Sequence, residues 1–169
     1  AVMSLPAYAL LYLNSNIFIY FLYSNMYNNG GSGLNVFQLD EQNGQVLIQD
    51  VSSYNNLDHG IQLAGTYITL HNAETSNNGD GIAIVGHPSA NIVNGSYAFN
   101  FDARTDIKLE GMISSYDNYR SGLLIDNFHT VVQGSVRVSA AIETYDNGLY
   151  GVEIENNTHV DVVLENDGS

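Results

Sequence analysis

The feature that most constrains this chain is a motif that keeps returning at the same phase of a period-two pattern. MYNNGGSGLNV (26–36), SYNNLDHGIQL (53–63), SYDNYRSGLLI (115–125) and TYDNGLYGVEI (144–154) share Tyr, Asn or Asp, Asn, three free residues, Gly and apolar-x-apolar. A shorter copy, TSNNGDGIAI, fills 75–84, and a degenerate one, NGSYAFNF, fills 94–101 with Ala98 in the glycine slot. Successive anchors, Gly33, Gly60, Gly81, Ala98, Gly122 and Gly151, are 17 to 29 residues apart. Fixed punctuation with elastic spacing marks a stack of repeats whose loops absorb the slack.

Each unit carries a second alternation: Val46-Leu47-Ile48, Ile68-Thr69-Leu70, Ile107-Lys108-Leu109, Val136-Arg137-Val138 and Val160-Asp161-Val162. A third short strand is expected through Val51, Ala73, Ile113 and Ile142. Period-two alternation in short runs excludes helices of useful length. The inward set is predicted as Leu34 and Val36, Ile61 and Leu63, Ile82 and Ile84, Phe99 and Phe101, Leu123 and Ile125, and Val152 and Ile154. An antiparallel sandwich has no reason to repeat its turn chemistry, whereas a stack of coils does, because like turns then lie on one another.

On these residues, above all SNNGDGIAI at 76–84, the chain resembles the right-handed parallel β-helix (pectin-lyase-like) repeat family over about 24–169. The resemblance implies an all-β fold, a right-handed parallel β-helix (β-solenoid) of about six coils. Residues 1–23 are then apolar N-terminal strands, the first coil and an assembly contact. Such a fold hosts polysaccharide lyases, hydrolases, epimerases, tailspikes, adhesins and structural surface proteins, so it does not transfer a function.

The repeated residues have structural reasons to be there. Gly accepts positive φ without a Cβ clash, and Asn tolerates the left-handed region better than other residues. Stacked amides also hydrogen-bond along the axis. Asn29, Asn56, Asn78, Asn118 and Asn147, with Gly33, Gly60, Gly81, Gly122 and Gly151, are therefore predicted as structural turn residues. Tyr27, Tyr54, Tyr116 and Tyr145 are read as an aromatic stack packing a corner.

Catalytic sets are hard to find. Family hydrolases place paired aspartates ahead of Gly-His-Gly and follow them with Arg-x-Lys. The nearest matches here are Asp58-His59-Gly60 and Arg104 to Lys108, with no Asp-Asp pair and one residue too many in the basic segment. Glycosidic cleavage needs two carboxylates at a set separation, and nothing upstream of His59 supplies a convincing pair. The expectation is no enzyme; the alternative is a polysaccharide lyase, glycoside hydrolase or epimerase. Asp58 and Asp80 each lie two residues after the second Asn of their motifs, which makes them the candidate ligands of a shared Ca²⁺. Arg104, Lys108 and Arg120 are expected to pair with the acids interleaved among them.

Partners follow from charge and from the N-terminus. With 18 Asp and Glu against 4 Lys and Arg, a net charge of -14 works against nucleic acid and anionic membranes. In AYALLYLNSNIFIYFLY (7–23), Asn14, Ser15 and Asn16 leave pieces too short for the roughly 30 Å of a bilayer core, so no membrane span is expected. Ile17, Phe18, Ile19, Tyr20, Phe21 and Leu22 are apolar on both strand faces and are the predicted assembly residues. The chain begins with Ala1, which reads as a processed product or a piece of a longer one, and 94–96 and 156–158 are glycosylation sequons. The leading expectation is a non-catalytic extracellular or cell-surface β-solenoid in a homo-oligomer, filament, sheath, layer or adhesin. The alternative binds or cleaves an acidic polysaccharide.

Overall fold

The computed structural model describes residues 9–11, 18–38, 45–85, 89–93, 96–100, 104–126, 133–155 and 160–164. Ile17 and both sequon asparagines lie outside them. In chain order the strands are β1 (Ala9–Leu11), β2 (Phe18–Leu22), β3 (Asn25–Tyr27), β4 (Leu34–Gln38), β5 (Gln45–Tyr54), β6 (Ile61–Ala64), β7 (Ile68–Ser76) and β8 (Ile82–Val85). They continue as β9 (Ser89–Val93), β10 (Ser96–Asn100), β11 (Arg104–Tyr116), β12 (Leu123–Asp126), β13 (Gln133–Val138), β14 (Ala141–Tyr145), β15 (Val152–Glu155) and β16 (Val160–Leu164). No helix occurs among the described residues.

Two parallel sheets carry the fold, one ordered β1-β4-β6-β8-β12-β15 and the other β2-β5-β7-β11-β13-β16. The chain alternates between them, so each return lays one strand on each sheet beside the strand before. β5, β7 and β11 bend where Asp50 (φ 53°), Asn72 (φ 53°) and Gly111 (φ 72°) adopt left-handed backbone. Pairing resumes beyond the bend, as in Gln49 with His71 and then Val51 with Ala73. The second limbs form a further parallel face, joined by β3 on β5 and β14 on β11.

Alternation sends one side of every strand inward. Leu34, Ile61, Ile82 and Leu123 form one buried column, and Val36, Leu63, Ile84 and Ile125 another. Val46, Ile68, Ile107 and Val136 face them from the second sheet, beside Ile48, Leu70, Leu109 and Val138. Each such side chain gains about 1.5 to 3 kcal/mol on burial, so the core is a sum of near-identical layers.

Three expectations need correction. The degenerate copy at 94–101 is not a coil: β10 runs antiparallel to β9 in a separate two-stranded sheet, with Ala98 opposite Asn91, and β8 pairs directly with β12. Local alternation looks the same in a hairpin and in a stacked strand, and only the partner differs. Phe99 therefore does not belong to the stacked column. Val152 and Ile154, in the columns of Leu123 and Ile125, are 46% and 49% exposed, because β15 is the last strand of its sheet.

The third concerns the turn. Left-handed backbone falls not on the motif glycines but on the first Asn or Asp: Asn28, Asn55, Asn77, Asp117 and Asp146, with φ between 53° and 58°. The glycines serve close approach instead. A Cβ on Gly60 would stand 2.6 Å from Gly81 O and 2.7 Å from Asn78 Nδ2, inside contact distance. Only a residue without a side chain fits between stacked turns.

Candidate functional site

The turns are where polar side chains converge. Along them Asn29, Asn56, Asn78, Asn118 and Asn147 form one column: Asn29 Nδ2 donates to Asn56 Oδ1 (2.8 Å), Asn56 to Asn78 (2.8 Å), Asn78 to Asn118 (3.2 Å) and Asn118 to Asn147 (2.9 Å). Each acceptor oxygen also takes the backbone N–H of the preceding asparagine at 3.1 Å. A second column lies just inside it. Ser53 Oγ donates to Gly60 O, Thr75 Oγ1 to Ser115 Oγ, and Ser115 Oγ to Gly122 O. The sequence carries this signal in the residue before three of the four motif tyrosines, Ser53, Ser115 and Thr144, and before Ser76 of the short copy, Thr75, while Met26 precedes Tyr27; the motif as defined leaves this position out.

Outside the ladder, the free residues of three successive turns build a charged cluster. Asp80 is 1% exposed, and its Oδ2 meets Arg120 Nη2 at 2.5 Å and His59 Nδ1 at 3.0 Å. The other oxygen accepts the Ser121 N–H at 3.1 Å. Asp58, half exposed, lies 3.5 Å from His59 Nε2 and 3.6 Å from the same Arg120 nitrogen. Burial pushes the Asp80 carboxyl up, but the hydrogen bonds from His59 and Ser121 and the Arg120 charge outweigh it and hold the group below the ordinary carboxylate range.

The chemistry of this cluster is therefore that of a clasp. Asp80 stays ionised at neutral pH with its donors in place, which disqualifies it as a general acid poised near pH 7. The structure brings the two candidate cation ligands, Asp58 and Asp80, into one cluster and sets the guanidinium of Arg120 between them. Among the described residues no group of three or more His, Asp or Glu is arranged to hold a metal ion. Arg120 thus pairs with turn acids and not with the acids interleaved along 102–110, and Lys108 makes no ion pair among the described residues.

The tyrosines split into two stacked pairs. Tyr27 lies on Tyr54 (centroids 5.2 Å, planes 3° apart) and Tyr116 on Tyr145 (4.9 Å, 1°). Ser76 fills the intervening position, and Tyr116 Oη donates to Glu74 at 2.6 Å. That bond to a carboxylate, with burial, raises the phenol above its ordinary range.

Two further surfaces stand out. On the outer face of the second sheet a cleft of about 280 Å³ lies among Tyr20, Gln45, Leu47, Tyr67, Thr69, Asp106 and Lys108. Tyr20 and Leu22, outward on β2, are 58% and 44% exposed, while Phe21 packs on the core. At the opposite end of the stack Tyr145, Leu149, Tyr150, Val152 and Ile154 are exposed together. Beside them Glu153 accepts from Ser121 Oγ, and its hydrogen bond and charge push the Glu155 carboxyl up.

No family model, curated protein or solved structure matches the chain. No helix among the described residues is long and apolar enough to cross a membrane.

Proposed function

We propose that the chain is a right-handed parallel β-helix of about six coils, of the pectin-lyase-like repeat type, and acts as a non-catalytic structural subunit or segment of an extracellular or cell-surface assembly. Six strands in sequential order in each sheet support the coil count. The observation that carries the functional reading is the contrast within one column: Ile84 is 2% exposed and Ile154 49%. The turn polar groups hold rung to rung, while Tyr20 and Leu22 on β2 and Val152 and Ile154 on β15 are exposed. Sedimentation at micromolar concentration should show large species that shrink when residues 1–23 are deleted. A monomer in both cases would refute the proposal.

A second reading, an acidic-polysaccharide-binding or -cleaving β-helix, draws on the cleft between Tyr20 and Tyr67. Exposed aromatic rings suit the faces of sugar rings, and Lys108 suits a carboxylate. Retention of the chain on an immobilised acidic glycan, lost in Tyr20→Ala with Tyr67→Ala, would favour it. Release of reducing or unsaturated ends would add catalysis.

A further inference from the structure

We infer that the β15–β16 end of the stack docks the β1–β2 end of a second copy of this chain, so that copies add head to tail in one direction. The inference rests on the assembly reading and specifies its partner and polarity.

Such docking continues a strand-on-strand interface that the chain already makes five times in each sheet. Every internal rung is covered by parallel strands of like pattern, and β15 is left with Val152 and Ile154 half bare. The end strands keep the common register: Val36 pairs with Ala9 on one side and Leu63 on the other, and that column runs through Ile84 and Ile125 to Ile154. In the second sheet Tyr20, Leu47, Thr69, Lys108, Arg137 and Val163 are successive register partners. A copy added in register sets its Tyr20 over Val163 and its Leu10 over Glu155.

Direction comes from the turn hydrogen bonds. Within the ladder Asn29, Asn56, Asn78 and Asn118 each donate from Nδ2 to the asparagine of the later rung, ending on Asn147 Oδ1, while Asn78 and Asn147 also donate back to Ser53 O and Ser115 O. Backbone donors in the glycine column do the same, Gly60 N–H to Asp80 O and Gly122 N–H to Tyr150 O. The two ends are therefore unlike, and a copy added in the same direction extends these series, whereas two identical ends would meet with like groups facing. Glu153, Glu155, Asp126 and, further in, Asp80 set the charge at the docking end, and no basic residue is described on β1, β2 or β3. Docking buries these carboxylates against strands that offer no basic partner, which opposes it at neutral pH and yields to acid.

The chain contains no cysteine, so introduced thiols report contacts without background. Neighbouring parallel strands lie about 4.8 Å apart, within the roughly 4.4 to 6.8 Å between Cα atoms that a disulfide spans. Tyr20→Cys and Val163→Cys are made as separate full-length chains, with Leu10→Cys and Glu155→Cys as a second pair, and the fold of each is checked by circular dichroism. Under mild oxidation at micromolar concentration and mildly acidic pH, a dimer cross-link should form in each mixture and be lost when either variant is oxidised alone. Cross-linking of a single variant with itself, or large species without the mixed cross-link in either pair, overturns the head-to-tail inference and leaves assembly standing. A monomer with no cross-link at any pH overturns both.

Discussion

Ile84 and Ile154 hold equivalent positions in one column of one sheet, yet the first is sealed and the second half open. The residue type, strand type and inward direction are the same. What differs is the next rung, present over β8 and absent from the described residues over β15. Burial in a stack is conferred by neighbours, so stability is a sum of rung-to-rung terms and an end rung carries about half of one.

The largest effect should separate these two residues. Ile84→Ala removes a sealed side chain and should cost about 3 to 4 kcal/mol in urea unfolding, against about 1 kcal/mol or less for Ile154→Ala in a monomeric sample. Equal costs would break the comparison. Next comes the clasp of the middle turns, which has no counterpart among the described residues of the last one. Asp80→Asn leaves Arg120 without its buried partner and should cost about 3 kcal/mol, toward the low end for a buried pair because Arg120 is half exposed. A carboxyl held below its ordinary value stabilises fully above the unfolded pKa near ~3.9 and loses that contribution as pH falls through the folded one. Unfolding free energy below about pH 4 should thus fall more steeply for the wild type than for Asp80→Asn.

At the open end the sign is reversed. Glu155 is pushed above the ordinary value by Glu153, so acid relieves repulsion there early. Glu153→Gln with Glu155→Gln should move the onset of assembly, read by light scattering, from acidic toward neutral pH. An unchanged onset would detach the acid pair from docking. The smallest effect concerns the tyrosine column, interrupted where Ser76 stands between Tyr54 and Tyr116. Ser76→Tyr would join the two pairs and should stabilise by about 0.5 to 1 kcal/mol in thermal unfolding.

The all-β class and the parallel strands were legible because a motif that recurs in phase with period-two alternation leaves few other folds. The partners of NGSYAFNF were not, since 94–101 carries the repeat's local pattern and only the pairing of β10 with the adjacent β9, and of β8 with β12 across them, tells a hairpin from a coil. The turn mechanism was half legible. Asn and Gly mark the corner, but which of them takes positive φ depends on how tightly the next turn approaches, as the Gly60 to Gly81 contact shows. Asp58 and Asp80 were legible as neighbours from their common offset. Arg120 was not, because it follows Asp80 by 40 residues across the β9–β10 insertion, and no local spacing links a charge to a partner that far along the chain.

The central claim, that each rung is sealed by the next and the last is open, is tested most directly by hydrogen exchange of backbone amides at two concentrations. In dilute, monomeric protein, protection should be high in β6, β8 and β12 and low in β15, and β15 should gain protection as concentration rises into the assembling range. Protection of β15 equal to that of β8 in the dilute monomer would contradict it.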